Sequence, residues 1–252
     1  MPKHLLFMVY AVVTYVIFLA TFLYAVGFVG GFLVPTQLDS PSRDPRALAV
    51  CIDLGLLALF ALQHSIMARK WFKERWTQIV PWAIERSTYV LCASLALLLL
   101  FWQWRPLGVT VWSVDGARAR LAIYALSAAG WATVLAVTFY INHFDLFGLR
   151  QVWLPLVGRP YVPVSFRTPL PYRVVRHPLY LGFLIAFWAT PHITLAHLLF
   201  AASTTAYIVL AIQFEERDLI REHGGRYETY RHTVPMLIPH LFRHARQKQA
   251  SV

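Results

Sequence analysis

The stretch "RHPLYLGFLIAFWATPHITLAHLLFAASTTAYIVLAIQFEER" (176–217) decides the fold, because it places two apolar runs between charged residues. The runs cover 179–190 and 193–214. They are separated at Pro191, which lacks the N–H that a continuing helix requires. An apolar run of about 20 residues is long enough to cross a bilayer as a helix. We therefore predict a helical hairpin over 178–214, with a short first arm, a turn near Pro191 and a full second arm.

Apolar runs fill most of the remaining chain as well, at 5–34, 47–68, 88–104 and 121–141. The sequence is 58% hydrophobic and 14% charged, whereas a soluble domain carries about 25% charged residues. The first run is longer than the roughly 7–15 residues of a signal-peptide core, so we predict a retained span. The fold class predicted is an all-α integral membrane protein, a bundle of five to six transmembrane helices that includes the C-terminal hairpin.

The basic residues lie between the apolar runs and predict an orientation. The net charge is +11, and no nucleic-acid-binding signature accompanies it, so anionic lipid and topology explain it better. If the N-terminus is cytoplasmic, the inner segments hold 18 of the 23 Lys and Arg residues. These segments are 1–4, 69–87, 142–178 and 215–252. The positive-inside rule then predicts a multi-pass cell-membrane protein with both termini on the cytoplasmic side. The polar clusters that are candidates for a functional site lie on the same side.

Cysteine and histidine often serve redox chemistry or metal binding, but their positions in this sequence predict neither kind of site. Cys51 and Cys92 lie within apolar runs without basic neighbours, and we predict them to be small buried residues. His240 and His244 are four residues apart, but they belong to a basic tail. A solvated tail is the better interpretation, so no metal site is predicted.

Two charged segments flank the hairpin. Arg-His-Pro at 176–178 is either a helix start anchored at the interface or a ligand site, because a helix N-terminus exposes unpaired N–H groups. Gly182, one turn further, permits close approach of a ligand or of a neighbouring helix. Glu215 and Glu216 stand where the second arm ends, and charges at that depth need solvation or a partner. A cationic ligand would be such a partner.

Histidines near the helix ends are the other candidates. His64 lies near the end of the second run, and His143 and Asp145 follow the fourth run. Each either finds partners inside the bundle or serves an active site. His192 and His197 are five residues apart on the opposite side and do not share a helical face, so we discount them.

The C-terminal motifs resemble a known family. "RHPLYLG" followed by "EERDLIREHGGRYETYRHTVP" is similar to the C-terminal module of the membrane methyltransferases, which include isoprenylcysteine carboxyl methyltransferases, phospholipid methyltransferases and NnrU-like proteins. The resemblance implies S-adenosyl-L-methionine (S-adenosylmethionine) bound at the cytosolic face. The apolar runs predict transmembrane helices 1–4 in 1–141, and the resemblance implies a cofactor module in 142–252. The cofactor-binding residues it implies are Tyr172, Arg176, His177, Pro178, Tyr180, Gly182, Glu215, Glu216, Tyr227 and Tyr230.

Stretches nearer the N-terminus narrow the resemblance. "LQHSIMARKWFK" (62–73), "PWAIERSTYVL" (81–91) and "NHFDLFGLRQVWL" (142–154) look like the methanethiol S-methyltransferases, which convert methanethiol to dimethyl sulfide. This implies a small thiol substrate. A nearby histidine or carboxylate could accept the thiol proton, and the candidates for this base are His64 first, then His143 and Asp145. Two alternatives stay open: a methyltransferase for a lipid or a prenylcysteine carboxylate, and a non-enzymatic NnrU-like membrane protein.

Overall fold

The computed structural model describes residues 2–41, 44–164 and 167–239, and these residues are mostly helical. The long helices, with the short connecting helices between them, follow one another along the chain. In chain order the elements are α1 Pro2–Gly30, α2 Arg46–Ala68, α3 Lys70–Trp76, α4 Trp82–Gln103, β1 Thr110–Ser113, α5 Ala117–Ile141, α6 His143–Leu146, α7 Leu149–Leu156, α8 Leu170–Val174, α9 Pro178–Trp188, β2 His192–Thr194, α10 Leu195–His223 and α11 Gly225–Thr233.

In the described part of the chain, five helices are long and apolar enough to cross a membrane: α1, α2, α4, α5 and α10. Their outward faces carry large apolar side chains such as Leu23, Leu62 and Leu121, each at least 60% exposed. Such faces suit lipid, where a helix satisfies its own backbone hydrogen bonds. The prediction of a helical multi-pass membrane protein is confirmed at this level, and the division at residue 141 stays a prediction.

The helices run between two ends of the bundle. We call the end where Ala68, Trp82, Ile141 and Pro178 lie the Arg176 end, and the opposite end the strand end. Helix α9 starts at the Arg176 end and has 11 residues. It is about 16 Å long at the helical rise, roughly half of the hydrocarbon core. Helix α10 has 29 residues and returns to the Arg176 end.

The strand end contains a two-stranded antiparallel sheet, so the all-α prediction was incomplete. Strand β1 pairs with β2 in the register Thr110–Thr194 and Ser113–His192, with an irregularity between them. The backbone N–H of Thr194 also donates to Asp39 Oδ1 at 3.1 Å. The sequence did not reveal these strands because they are very short, β1 is exposed along its length, and their pairing joins distant parts of the chain.

Helix α9 packs chiefly on α5 rather than on α10. Gly182 of α9 faces Gly130 of α5, and a Cβ built on Gly182 would lie 2.9 Å from the carbonyl oxygen of Gly130. Small residues allow two membrane helices to approach this closely. The structure therefore gives Gly182 a neighbouring helix, and the two arms predicted as a hairpin do not pack mainly on each other.

We expect Gly182→Ala to lower the free energy of unfolding by about 1–3 kcal/mol, the usual cost of overpacking. The added methyl would meet backbone atoms of Gly130 and Val134 within about 3.0 Å, and backbone atoms cannot move aside cheaply. Thermal unfolding in detergent measures the effect. Gly55→Ala is the matched control, because a Cβ on that helical glycine has nothing within 4 Å. Equal melting temperatures for the two variants would contradict the close α5–α9 contact.

Two further expectations are corrected. Glu215 and Glu216 do not stand at the end of a helix, because α10 continues to His223, about two turns beyond them. The charged residues after 214 continue the helix, since Glu and Arg are good helix formers. The predicted burial of both cysteines was wrong: Cys51 is exposed and Cys92 is half-buried. An apolar run does not say which face of its helix meets lipid.

Candidate active site

A buried ion pair organises the Arg176 end. Oε1 of Glu216 accepts hydrogen bonds from Arg176 Nε at 2.7 Å and from His177 Nε2 at 3.0 Å. Glu216 and His177 are both buried. Helix α10 supplies the carboxylate, and the turn before α9 supplies the two donors, so this contact joins α10 to the segment that precedes α9. Because Glu216 already accepts hydrogen bonds from two side chains, its main role is to hold these segments together.

Arg176 also holds the C-terminal segment in place. Its Nη1 donates to the carbonyl oxygens of Arg231 at 2.8 Å and Val234 at 2.6 Å, and its backbone N–H donates to the carbonyl of Pro235 at 2.8 Å. These carbonyls lie in the last turn of α11 and in Val234–Pro235, which we call the V-P segment. Carbonyls at the end of a helix have no partner within the helix. The Arg-His-Pro turn and the V-P segment are therefore one folded unit.

Tyr230 adds a second link to this unit. Its hydroxyl donates to the backbone carbonyl of Tyr172 at 2.6 Å. Burial raises the pKa of Tyr230 to about 12, so the hydroxyl keeps its proton and remains a donor at neutral pH. Its ring lies 5.7 Å from that of Tyr227, which is almost fully buried. These aromatic side chains hold α11 against α8.

Glu215 differs from its neighbour. Its side chain is 45% exposed, and its Oε2 is 3.9 Å from His177 Nδ1, too far for a hydrogen bond. The side chain of Tyr180, which belongs to α9, lies next to that of Glu215. Glu215 is therefore the carboxylate of the pair that a ligand at this end can reach.

His64 lies beside this unit, on α2. The hydroxyl of Tyr89 in α4 is 3.0 Å from each ring nitrogen of His64, so it can bond to either one. The ring of Phe60 stacks on His64 with centroids 5.2 Å apart. The adjacent Ser65 hydroxyl is 3.1 Å from that of Tyr207 in α10. Tyr89 and Tyr207 are also electrostatic neighbours of Tyr180, which connects His64 with Glu215.

His143 and Asp145 have internal partners. Nδ1 of His143 is 2.7 Å from the Thr138 hydroxyl, and Nε2 is 2.8 Å from the Tyr15 hydroxyl. Burial lowers the pKa of His143, which keeps the ring neutral. Asp145 accepts from Arg150 at 3.1 Å and from the hydroxyl of Tyr161 at 3.3 Å. Both residues fasten the start of α6 and α7 to the bundle.

The structure thus divides the candidate residues into groups. Tyr172, Arg176, His177, Pro178, Tyr180, Glu215, Glu216, Tyr227 and Tyr230 gather at the Arg176 end, and His64 borders them. Gly182 faces α5 instead. Within the described ranges, no group of three or more His, Cys, Asp and Glu side chains could hold a metal ion. His240 and His244 lie outside those ranges.

Three residues were not identified from the sequence: Arg86 and Tyr89 beside His64, and Tyr207 beside Ser65. Arg86 and Tyr89 are three residues apart, a spacing that places side chains on one helix face. Both belong to the stretch 81–91 that carried the resemblance. That spacing could have indicated them, because both residues lie near the end of a span on the same side of the membrane as His64. Tyr207 offered no such indication, because it lies in a continuous apolar run.

Comparisons with known proteins give close relatives. Methanethiol S-methyltransferase of Crocosphaera subtropica is 54% identical over 93% of this chain and 92% of its own length. Methanethiol S-methyltransferase of Mycobacterium tuberculosis is 53% identical over 96% of this chain and 99% of its own length. Nurim of Mus musculus is 32% identical over 66% of each chain. No family model matches the chain, and no solved structure matches it.

Proposed function

The chain belongs to the methanethiol S-methyltransferase family, and from this premise we propose that it methylates methanethiol with S-adenosylmethionine to give dimethyl sulfide. In this reaction the thiol loses its proton, a bond forms between its sulfur and the methyl carbon, and the bond from that carbon to the sulfonium breaks. The observation that carries the proposal is the cluster of His64, Tyr89, Tyr180, Tyr207 and Glu215 at one end of a chain this similar to known thiol methyltransferases.

The residues at the Arg176 end fit the methyl donor. When bound, S-adenosylmethionine supplies an electrophilic methyl group on a positively charged sulfonium. Glu215 offers a half-exposed carboxylate for a cationic group. The ring of Tyr180 lies next to Glu215, with Tyr89 and Tyr207 as further neighbours of Tyr180, and an aromatic face attracts positive charge. Arg176, His177 and Glu216 hold the surrounding segments rigidly in place.

His64 is the proposed base. A thiol is mostly protonated at neutral pH, since a cysteine thiol titrates near ~8.5. A neutral imidazole can accept that proton, with the Tyr89 hydroxyl bonded to the ring. The protein also aligns the two reactants, and alignment alone can remove roughly 7–11 kcal/mol from a barrier. His143 and Asp145 are the second choice because their polar atoms already have internal partners.

We place the Arg176 end at the cytoplasmic face of the cell membrane. The support is the concentration of Lys and Arg, 18 of 23, in the sequence segments 1–4, 69–87, 142–178 and 215–252, whose described parts lie at this end. A small apolar thiol can reach this end through the lipid between the helices. Membrane lipid is therefore the surrounding partner, and no large substrate groove is needed.

The experiment that tests the proposal compares substrates. Purified protein in lipid nanodiscs is given S-adenosylmethionine labelled in its methyl group, with either methanethiol or a lipid extract. We expect label in volatile product from methanethiol and none in the lipid fraction. Label in the lipid fraction alone would indicate the lipid methyltransferase. No transfer to either substrate would favour the non-enzymatic alternative.

A further inference from the structure

The cations of the Arg-His-Pro segment are already engaged. Nε and Nη1 of Arg176 donate to Glu216 and to two backbone carbonyls, and His177 donates to Glu216. S-adenosylmethionine carries a carboxylate as well as its two positive groups. A carboxylate placed in a water-poor site needs a cation or several N–H donors. Another cation at the same end must therefore meet it.

Arg86 is the cation that is available to bind this carboxylate. Two other arginines at the Arg176 end have carboxylate partners, Arg69 with Asp218 at 2.7 Å and Arg150 with Asp145 at 3.1 Å. Arg86 is partly buried. Among residues 2–41, 44–164 and 167–239, no carboxylate lies within ion-pair distance of it, and it makes no side-chain hydrogen bond.

The surroundings of Arg86 carry surplus positive charge. Lys73 of α3 lies nearby, and burial together with the charge of Arg86 lowers the pKa of Lys73, although Glu85 opposes this. Two like charges held close together cost free energy unless an anion joins them. Glu85 offsets only one of these two positive charges, so the place is suited to a further anionic group from a ligand.

Arg86 is linked to Glu215 through a series of tyrosine side chains. Its guanidinium carbon is 5.6 Å from the centre of the Tyr89 ring, and the Tyr89 hydroxyl contacts His64. Tyr89 in turn neighbours Tyr180, beside Glu215. A cation and an anion thus border one group of tyrosines. The amino-acid part of S-adenosylmethionine has the complementary charges, an ammonium and a carboxylate on the same carbon atom.

We propose that Arg86 binds the carboxylate of S-adenosylmethionine, an inference that rests on the proposed function. The guanidinium presents paired N–H donors that match the two oxygens of a carboxylate. Arg86 is then a cofactor-binding residue contributed by α4, outside the Arg-His-Pro and Glu-Glu segments. It divides recognition of the cofactor between two parts of the chain, with the carboxylate held from α4 and a positively charged group held by Glu215 on α10.

Calorimetric titration of the purified protein in nanodiscs tests this inference with two ligands. S-adenosylmethionine carries the carboxylate, and decarboxylated S-adenosylmethionine lacks it. We expect Arg86→Gln to weaken binding of the first roughly 10- to 100-fold, the usual loss for a hydrogen bond to a charged group. Binding of the second should be the same in the variant and in the wild type, which also shows that the variant is folded. Arg86→Lys should recover part of the affinity.

Arg75→Gln is the matched control, because Arg75 is an exposed arginine of α3 whose loss changes the net charge equally. It should bind both ligands as the wild type does. Unchanged S-adenosylmethionine affinity in Arg86→Gln would overturn the inference and leave the proposed function standing. Equal weakening for both ligands would also overturn it, since that result indicates a structural role. A wild-type protein that binds neither ligand would count against the proposed function itself.

Discussion

Replacing His64 with alanine is expected to lower kcat by roughly 10²–10⁴-fold, the usual contribution of general acid–base catalysis. The ring lies between Phe60 and the hydroxyl of Tyr89, next to the segment that we propose binds the cofactor. Affinity for S-adenosylmethionine should change little, because the thiol proton is not involved in cofactor binding. Raising the pH should restore part of the rate, since thiolate formed in solution does not need the base. Single-turnover kinetics at a series of pH values measures both effects.

His4→Ala is the control for this experiment, because it removes an exposed histidine near the start of α1. A purely structural His64 would give a different result: lower stability or yield, normal turnover per folded molecule and no recovery at high pH. Near-normal kcat at pH 7 in stable His64→Ala protein would move the base to His143 and Asp145. It would equally fit an enzyme that captures the small thiolate fraction without a base.

Glu216→Ala is expected to destabilise the Arg176 end by about 3–5 kcal/mol, the range measured when one partner of a buried ion pair is removed. Arg176 and His177 would then be buried without the carboxylate to which both donate. Because Arg176 also holds the carbonyls at the end of α11, that helix should loosen as well. Hydrogen exchange of the amides of α11, together with thermal unfolding, measures the loss.

Glu215→Ala is the matched comparison, since it removes the adjacent carboxylate from a half-exposed site. It should keep the melting temperature and the exchange protection of α11 while it weakens S-adenosylmethionine binding. Glu216→Gln should restore part of the stability, because an amide oxygen still accepts a hydrogen bond. A Glu216→Ala protein with normal stability and a specific loss of cofactor affinity would show that Glu216 binds the ligand directly.

The helical part of the fold was predictable because an apolar run in lipid has few alternatives to a helix. The runs at 47–68 and 121–141 lie within the helices α2 and α5. The strands β1 and β2 were not predictable, since their pairing depends on how separate loops meet at the strand end. The partner of α9 was not predictable either. The close contact of Gly130 with Gly182 involves two residues that the sequence gives no reason to connect.

The sequence allowed us to predict which types of residue form the site, but not the role of each residue. The order of motifs indicated a carboxylate pair and an Arg-His pair, but two adjacent glutamates look alike in a sequence. Helical geometry turns Glu216 towards Arg176 and leaves Glu215 half exposed, and only the structure separates them. Arg86 was overlooked for a related reason: an arginine near the start of a span usually serves as an interfacial anchor. Its lack of a carboxylate partner within the described ranges became visible only in three dimensions.

Direct detection of the product tests the central claim most plainly. Purified protein in nanodiscs is incubated with methanethiol and with S-adenosylmethionine deuterated in its methyl group, and the headspace is analysed by gas chromatography with mass spectrometry. We expect dimethyl sulfide that carries the deuterated methyl group, formed in proportion to protein and strongly reduced with His64→Ala. Headspace without labelled dimethyl sulfide, from folded protein that binds S-adenosylmethionine, would contradict the account.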